Sequence, residues 1–123
     1  MNSNFIFTDD IAGHSVGASC VTLPKSIHAK ADLLASIAQA LSFPDTFGAN
    51  WDALFDCLCD LSWVRERRVV IAHEMIPELT TDDLEAYLGV LRDAVASWHD
   101  NPGSHELVVL FPSAASAVLA VLA

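Results

Sequence analysis

Three aspartates, Asp52, Asp56 and Asp60, recur at four-residue spacing inside the run Phe47-Gly-Ala-Asn-Trp-Asp-Ala-Leu-Phe-Asp-Cys-Leu-Cys-Asp-Leu-Ser-Trp63. On a helix this spacing puts the carboxylates on one side, while Leu54, Cys57, Leu58 and Leu61 fall on the other. Trp51 and Phe55 lie at the border between the two faces. Like charges at i and i+4 destabilise a helix by roughly 0.2–0.5 kcal/mol per pair. No Lys or Arg occurs between Pro44 and Val64 to offset them. Asp52 gains from the positive end of the helix dipole, which Asp56 and Asp60 lie too far along to share. Three readings are open: a solvated face, an acid–base pair of carboxylates, or an anionic strip made for a cationic partner. An acid–base pair needs burial to separate two carboxyl pKa values, and an exposed helical row does not supply it. The aromatic border and the lack of interleaved cations favour the strip.

Little else in the chain suggests catalysis. There is no Gly-rich phosphate loop, no Gly-x-Ser-x-Gly elbow and no His-Glu-x-x-His. The histidines, at 14, 28, 73, 99 and 105, are scattered. Cys57-x-Cys59 places two thiols about 200° apart around a helix, unsuited to sharing a zinc ion; Cys57 reads as a core residue beside Leu54 and Leu58. The expectation is a protein without catalytic residues, cofactor or metal.

Net charge points the same way. Sixteen acidic residues against six basic ones give −10. Such a chain repels nucleic acid and anionic membranes and attracts basic surfaces. No apolar run is long enough to cross a membrane. Met1-Asn-Ser-Asn is polar and no apolar segment of signal-peptide type follows it. Three cysteines do not make a disulfide framework, so reduced thiols in a cytoplasm are expected.

The elements that position the strip follow from pattern. A length of 123 residues with 53% apolar content reads as one folded domain. Asn50 is a good N-cap for the acidic helix, and Gly48 can turn the backbone sharply at positive φ. Upstream, Phe5-Ile-Phe7 can form a short strand, and Asp9-Asp10 with Gly13 and Gly17 reads as turns. Cys20–Leu23 is the first core strand, closed by Pro24. Ser26 is expected to cap a helix whose apolar positions are Ile27, Ala31, Leu34, Ile37, Ala38 and Leu41. Val69–Ala72 reads as a buried strand, and Glu74 to Leu79 can hold a helical turn. Thr81 is expected to cap a helix that buries Leu84, Tyr87, Leu88, Leu91 and Val95 and ends near His99. Asn101-Pro-Gly103 reads as a turn, Glu106–Phe111 as the third strand, and the small apolar tail from Ser113 as a short helix. Strand, helices, strand, helix, strand is the pattern of an α/β domain with parallel strands joined by crossovers.

The run Phe47-Gly48-x-Asn50-x-Asp52-Ala53-Leu54-Phe55-Asp56-Cys57-Leu58 resembles the signature of the barstar family of intracellular ribonuclease inhibitors. A weaker likeness in element order extends from about Cys20 to Ser113, leaving residues 1–18 as an N-terminal extension and 114–123 as an apolar tail. The resemblance implies a three-stranded parallel sheet in the order 1-2-3, packed by helices, with a possible extra N-terminal strand. It implies a basic ribonuclease or nuclease toxin as partner. The acidic helix would then fill the nuclease cleft as a mimic of RNA phosphates, in an antitoxin or immunity role. Asp56 would be the central contact, with Asp52 beside it and Asp60 further out. Asp93, on the later helix, matches an acidic residue of the family by element and local pattern; the alternative is a surface aspartate paired with Arg92. Phe47, Ala49 and Asn50 would supply loop contacts and Trp51 an apolar anchor. Trp63 stands for a family tryptophan only if two residues are inserted before it. Trp51 replaces a family leucine and Thr46 a family tyrosine, departures that imply a partner different in detail from barnase. The competing reading is a domain of the same fold that inhibits no nuclease and binds another basic protein.

Overall fold

The structure, a computed structural model, describes residues 4–45, 47–100 and 103–122. Four strands, β1 (Phe5–Phe7), β2 (Ser19–Leu23), β3 (Arg68–His73) and β4 (Glu106–Phe111), form one parallel sheet in the order β1-β4-β3-β2. This corrects the expected three strands in the order 1-2-3 to four: the strands expected there, β2, β3 and β4, are neighbours in that sequence, and the possible N-terminal strand, β1, is added beyond β4. Without β1, the outer edge of β4 would leave backbone groups unpaired along Val109, Leu110 and Phe111, all fully buried. Phe5, Ile6 and Phe7 stand in register with those residues, and the Thr8 N–H donates to the Phe111 carbonyl at 2.9 Å.

The N-terminal extension is therefore part of the domain. Its expected turn at Asp9-Asp10 and Gly13 is a helix start: α1 (Ile11–Ser15) is capped by the Asp10 carboxylate, which accepts from the Gly13 N–H at 3.0 Å. Gly17 alone in that stretch has positive φ, +72°. Val70, Ala72, Val108 and Leu110 form a buried cluster on one face of the sheet, against which Ile11 and Ala18 pack. Period-two alternation sends the neighbouring residues, Val69, Ile71, Leu107, Val109 and Phe111, into the larger core beneath the other helices.

That larger core lies under α2 (Lys30–Ala40), α3 (Trp51–Asp60) and α4 (Thr81–Asp100). Two of the expected caps are displaced. Ser26 does not start α2, because Ile27 is held outside the helix: its side chain is buried and its carbonyl accepts from the Glu78 N–H at 3.1 Å. That bond also keeps 74–79 free of a helical turn. The cap of α4 is Thr80, not Thr81, since the Thr80 hydroxyl accepts from the Asp83 N–H at 3.1 Å. Among the apolar positions expected for α2, Ala31 is exposed, and Leu33, which is not among them, is fully buried.

α3 starts where expected, with Asn50 Oδ1 accepting from the Ala53 N–H at 2.8 Å. The sharp turn before it falls on Ala49 (φ +52°), not on Gly48. α3 ends on Leu61, held at φ +55°, a conformation that costs an L-residue roughly 1–2 kcal/mol. Complete burial of the Leu61 side chain offsets that strain. Leu54 and Leu58 are fully buried, Cys57 is half-buried, and Asp52, Asp56 and Asp60 are exposed. Beyond β4, a 3-10 turn (Ser113–Ala115) leads into α5 (Ser116–Leu122), which buries Leu119. Asp9 ties this tail to the N-terminal segment. Its carboxylate accepts from the Ser113 hydroxyl at 2.7 Å and the Ser113 N–H at 3.1 Å, which holds its pKa below the usual range.

Two histidines are buried, and His73 is the deeper. Its ring stacks on Phe111 with centroids 4.0 Å apart and an interplanar angle of 7°. Nδ1 lies 2.8 Å from the Leu110 carbonyl and Nε2 lies 2.7 Å from the Tyr87 hydroxyl. A carbonyl can only accept, so Nδ1 carries the proton and Nε2 accepts from Tyr87. Both partners are thereby satisfied in the dry core. Burial drives the His73 pKa down to about 4, partly offset by the Leu110 carbonyl, and pushes the Tyr87 phenol up.

Two outcomes test this packing. Leu58→Ala should cost about 2–5 kcal/mol, as a core truncation that leaves a cavity, read from denaturant midpoints. His73 gives a pH dependence. The unfolded chain takes up its proton near the ordinary value of 6.5 and the folded protein only near 4. Its contribution to stability is therefore intact above about pH 6.5 and is lost as pH falls toward 4, by on the order of 3 kcal/mol. Melts of the protein and of His73→Gln across this range should diverge, with the native sequence losing more; parallel curves would show that His73 does not titrate this way.

Candidate functional site

α3 and α4 lie side by side and run in the same direction. Near their starts Trp51 rests on Tyr87, ring centroids 5.9 Å apart; further along, the Trp98 indole N–H donates to the Leu58 carbonyl at 2.8 Å. Their apolar faces meet in the core, through Leu54 and Leu58 on one side and Tyr87, Leu88, Leu91 and Val95 on the other. The polar faces are thus left adjacent, and between them runs an open groove of about 440 Å³.

Asp52, Phe55 and Asp56 form the α3 wall of this groove. Glu85, Ala86, Gly89, Val90 and Asp93 form the α4 wall. The α3 set stands at i, i+3 and i+4, and the α4 set is two adjacent rows of four-residue step, Glu85-Gly89-Asp93 and Ala86-Val90, so each set is one helical face. Four of the eight lining residues are acidic and none is Lys, Arg or His. Ala86 and Gly89 keep the α4 wall low, while Phe55 and Val90 give the floor between the carboxylates an apolar character. Asp52, Asp56, Glu85 and Asp93 are all exposed. The alternative for Asp93, a pairing with Arg92, is not formed: among the described residues the contacts of ion-pair geometry are His28–Glu78 at 3.2 Å, charged only when the histidine is protonated, and Arg68–Glu106 at 3.9 Å.

Two neighbouring thiols register the field of this surface. Burial is the largest influence raising the Cys57 pKa, with Asp60 and Asp56 adding to it. Burial also leads for Cys59, opposed by a hydrogen bond from Ser97 and reinforced by Asp56 on one helix and Asp93 on the other. Neither thiol is activated for nucleophilic chemistry. Among the described residues no group of three or more His, Cys, Asp or Glu is placed to hold a metal ion. What the arrangement offers is a two-walled anionic slot, suited to a cationic group.

The structure thus brings Asp52, Asp56 and Asp93 together. Asp60, although exposed on the same helix, does not line the groove. Trp51 is engaged from within the protein: besides Tyr87, the Lys30 ammonium lies 5.1 Å from its ring centroid. The aromatic of the groove is instead Phe55. Asn50 and Ala49 are exposed at the entry to α3. Phe47 and Trp63 belong to an aromatic brace outside the groove. Phe43 makes edge-on contacts with Phe47 at 5.0 Å and with Trp63 at 5.8 Å, and the Trp63 N–H donates to the Leu41 carbonyl at 2.8 Å. Thr46 and the expected turn residues Asn101 and Pro102 lie outside the described residues.

Glu85 is the residue that pattern reading missed. Its signal was available: Glu85, Gly89 and Asp93 repeat at the same four-residue step as Asp52, Asp56 and Asp60. Only the pairing of the two helices shows that the two rows face one space.

No helix among the described residues is long and apolar enough to cross a membrane. A search of curated proteins finds no match to the chain. A scan of protein families matches residues 20–110 to the family described as Barstar (barnase inhibitor). The match runs from Cys20 of β2 to Leu110 of β4, includes both walls of the groove and covers well over half of the 123 residues. The chain belongs to the barstar family.

Proposed function

We propose that this protein inhibits a basic ribonuclease, placing the α3–α4 groove and its carboxylates against the cationic cleft that binds RNA phosphates. The observation that carries this reading is the four-carboxylate slot lined by no Lys, Arg or His. Ribonucleases gather Arg, Lys and His where the phosphates bind. Carboxylates fixed on a rigid scaffold compete for the same groups and exclude the substrate. The net charge of −10 adds long-range attraction to a basic partner and keeps the protein from binding RNA itself.

The contacts divide by position. Asp56 and Asp52 on α3 and Asp93 on α4 flank Phe55, so a partner covering the groove desolvates them around an apolar centre, the arrangement in which binding energy concentrates. Asp60, outside the groove, sits where rim charges guide encounter. Ala49 and Asn50 supply contacts at the entry loop. Phe47, Trp51 and Trp63 act behind these residues, holding the loop and the helix start in place. The setting is that of an antitoxin or immunity protein acting in the cytoplasm of a cell that makes the nuclease. The protein itself performs no hydrolysis.

Asp56→Ala should leave folding stability unchanged or raise it by a few tenths of a kcal/mol, since it removes like-charge repulsion along α3. A large loss in denaturant melts would assign Asp56 a structural role. In stopped-flow binding to the nuclease, association should slow as salt is added, because charges separated by more than about 10 Å are screened at 0.1 M. Asp56→Ala should accelerate dissociation more than Asp60→Ala does. Rates indifferent to salt and to both substitutions would overturn the phosphate-mimic mechanism.

A further inference from the structure

The residue lying beneath the groove is Tyr87. It stands on α4 directly after Ala86 and two positions before Gly89, both of which line the groove. Its ring supports Trp51, which begins α3 and precedes the groove residue Asp52. Its hydroxyl points the other way, into the sheet, and ends on His73 Nε2. His73 is in turn fixed by its bond to the Leu110 carbonyl and by stacking on Phe111. A linkage therefore runs from the sheet to the first residue of α3, polar and directional as far as Tyr87 on α4 and a ring contact from Tyr87 to Trp51. An apolar helix face tolerates small slides and rotations over a sheet. A hydrogen bond of 2.7 Å, made in the core where neither group has an alternative partner, does not.

We propose that the buried His73–Tyr87 hydrogen bond is a positioning element for the groove: it sets the height and rotation of α4 over the sheet and thereby the separation of the two carboxylate walls. The consequence for binding rests on the reading of the groove as the site for a cationic partner; the geometric consequence does not. Among the described residues, the titratable group facing His73 is the Tyr87 phenol from α4. β4 faces it with the Leu110 carbonyl and the Phe111 ring, and β2 stands beside it at Leu23. No carboxylate, Lys or Arg is bonded to the pair. Protonation of Nε2 would turn it from acceptor to donor, so the Tyr87 hydroxyl would have to give up its donation and rotate to accept, and the linkage is rearranged in acid from within.

The test compares Tyr87→Phe, which removes the hydroxyl, with His73→Gln. The glutamine amide can donate to Leu110 and accept from Tyr87 without titrating. In the partner-free protein at pH 7, Tyr87→Phe should shift the backbone NMR resonances of Gly89 and Asp93 and, across the groove, of Asp52 and Asp56. His73→Gln should leave them near their native positions. Lowering the pH toward 4 should move these resonances further in the native sequence than in His73→Gln. With barnase as the probe, Tyr87→Phe should bind roughly tenfold more weakly, the size expected of a residue acting through packing and not through contact, and His73→Gln should bind as the native protein does. Groove-wall resonances that stay in place in folded Tyr87→Phe, or that move equally in His73→Gln, overturn the inference, as does unchanged affinity for barnase. If the native protein does not bind barnase, the nuclease it inhibits is a different one, as the residues at 46 and 51 imply, and the resonances alone decide the positioning. If Tyr87→Phe does not fold, the pH series of the native protein against His73→Gln decides it, equal shifts overturning the proposal.

Discussion

The apolar stripes of α3 and α4 are buried against each other in one core, and this shared footing places two rows of carboxylates next to each other. Leu54 and Leu58 cannot be buried without bringing α3 down beside Tyr87, Leu88, Leu91 and Val95. Once both helices are seated, Asp52 and Asp56 on one and Glu85 and Asp93 on the other have nowhere to go but the seam between them. Each row repels itself, and the two rows repel each other. The hydrophobic term is large enough to impose this: burying one Leu side chain is worth roughly 1.5–3 kcal/mol, against a few tenths for each exposed like-charge pair. Charge crowding at the surface is thus sustained by burial underneath, and a cationic partner would relieve it.

The His73–Tyr87 pair adds specificity to this burial. Leucines on a helix face fill space but fix orientation loosely, whereas a buried donor and acceptor accept one arrangement and penalise others. An apolar pair of similar shape could stabilise the fold as well. What such a pair would lack is a preferred rotation of α4. The back of the sheet is closed differently, by a short N-terminal helix over Val70, Ala72, Val108 and Leu110. The two faces therefore divide their roles: one holds the groove, and the other is sealed by sequence that lies outside the family match.

Much of this was legible in the sequence because it is local. The three- and four-residue spacing of Leu54, Leu58 and Leu61 against Asp52, Asp56 and Asp60 states the two faces of α3 outright, and Asn50 marks its start. The β-branched run in Val69–Ala72 and the apolar run in Glu106–Phe111 announce buried strands. The features that escaped depend on partners distant in sequence. Phe5-Ile-Phe7 carries no sign that it will pair with the outer edge of β4. Glu85 looks like any exposed acid until α4 is laid beside α3. Ser26 has the chemistry of a cap, but the carbonyl of neighbouring Ile27 is taken by Glu78, which keeps that stretch out of the helix. His73 reads as one scattered histidine among five until Tyr87 and Leu110 close on it. Asp93 was reached only through family resemblance, since Arg92 beside it suggested a simpler pairing.

The edge position of β1 has a consequence for the order in which the molecule comes together. Phe5 is in register with Val109, and Asp9 clasps Ser113, so among the described strands the first waits for the last. β2, β3 and β4 meet their neighbours over shorter separations and can assemble in sequence, each loop costing less entropy to close. During synthesis, residues 5–7 leave the ribosome well before the strand they pair with exists. Until β4 arrives, Phe5, Ile6 and Phe7 have no sheet to join, and afterwards the open edge of β4 is exposed until they return. The terminal segment thus serves as the closing piece of the fold, and the interval before it docks is when the sheet is most open to pairing with another chain.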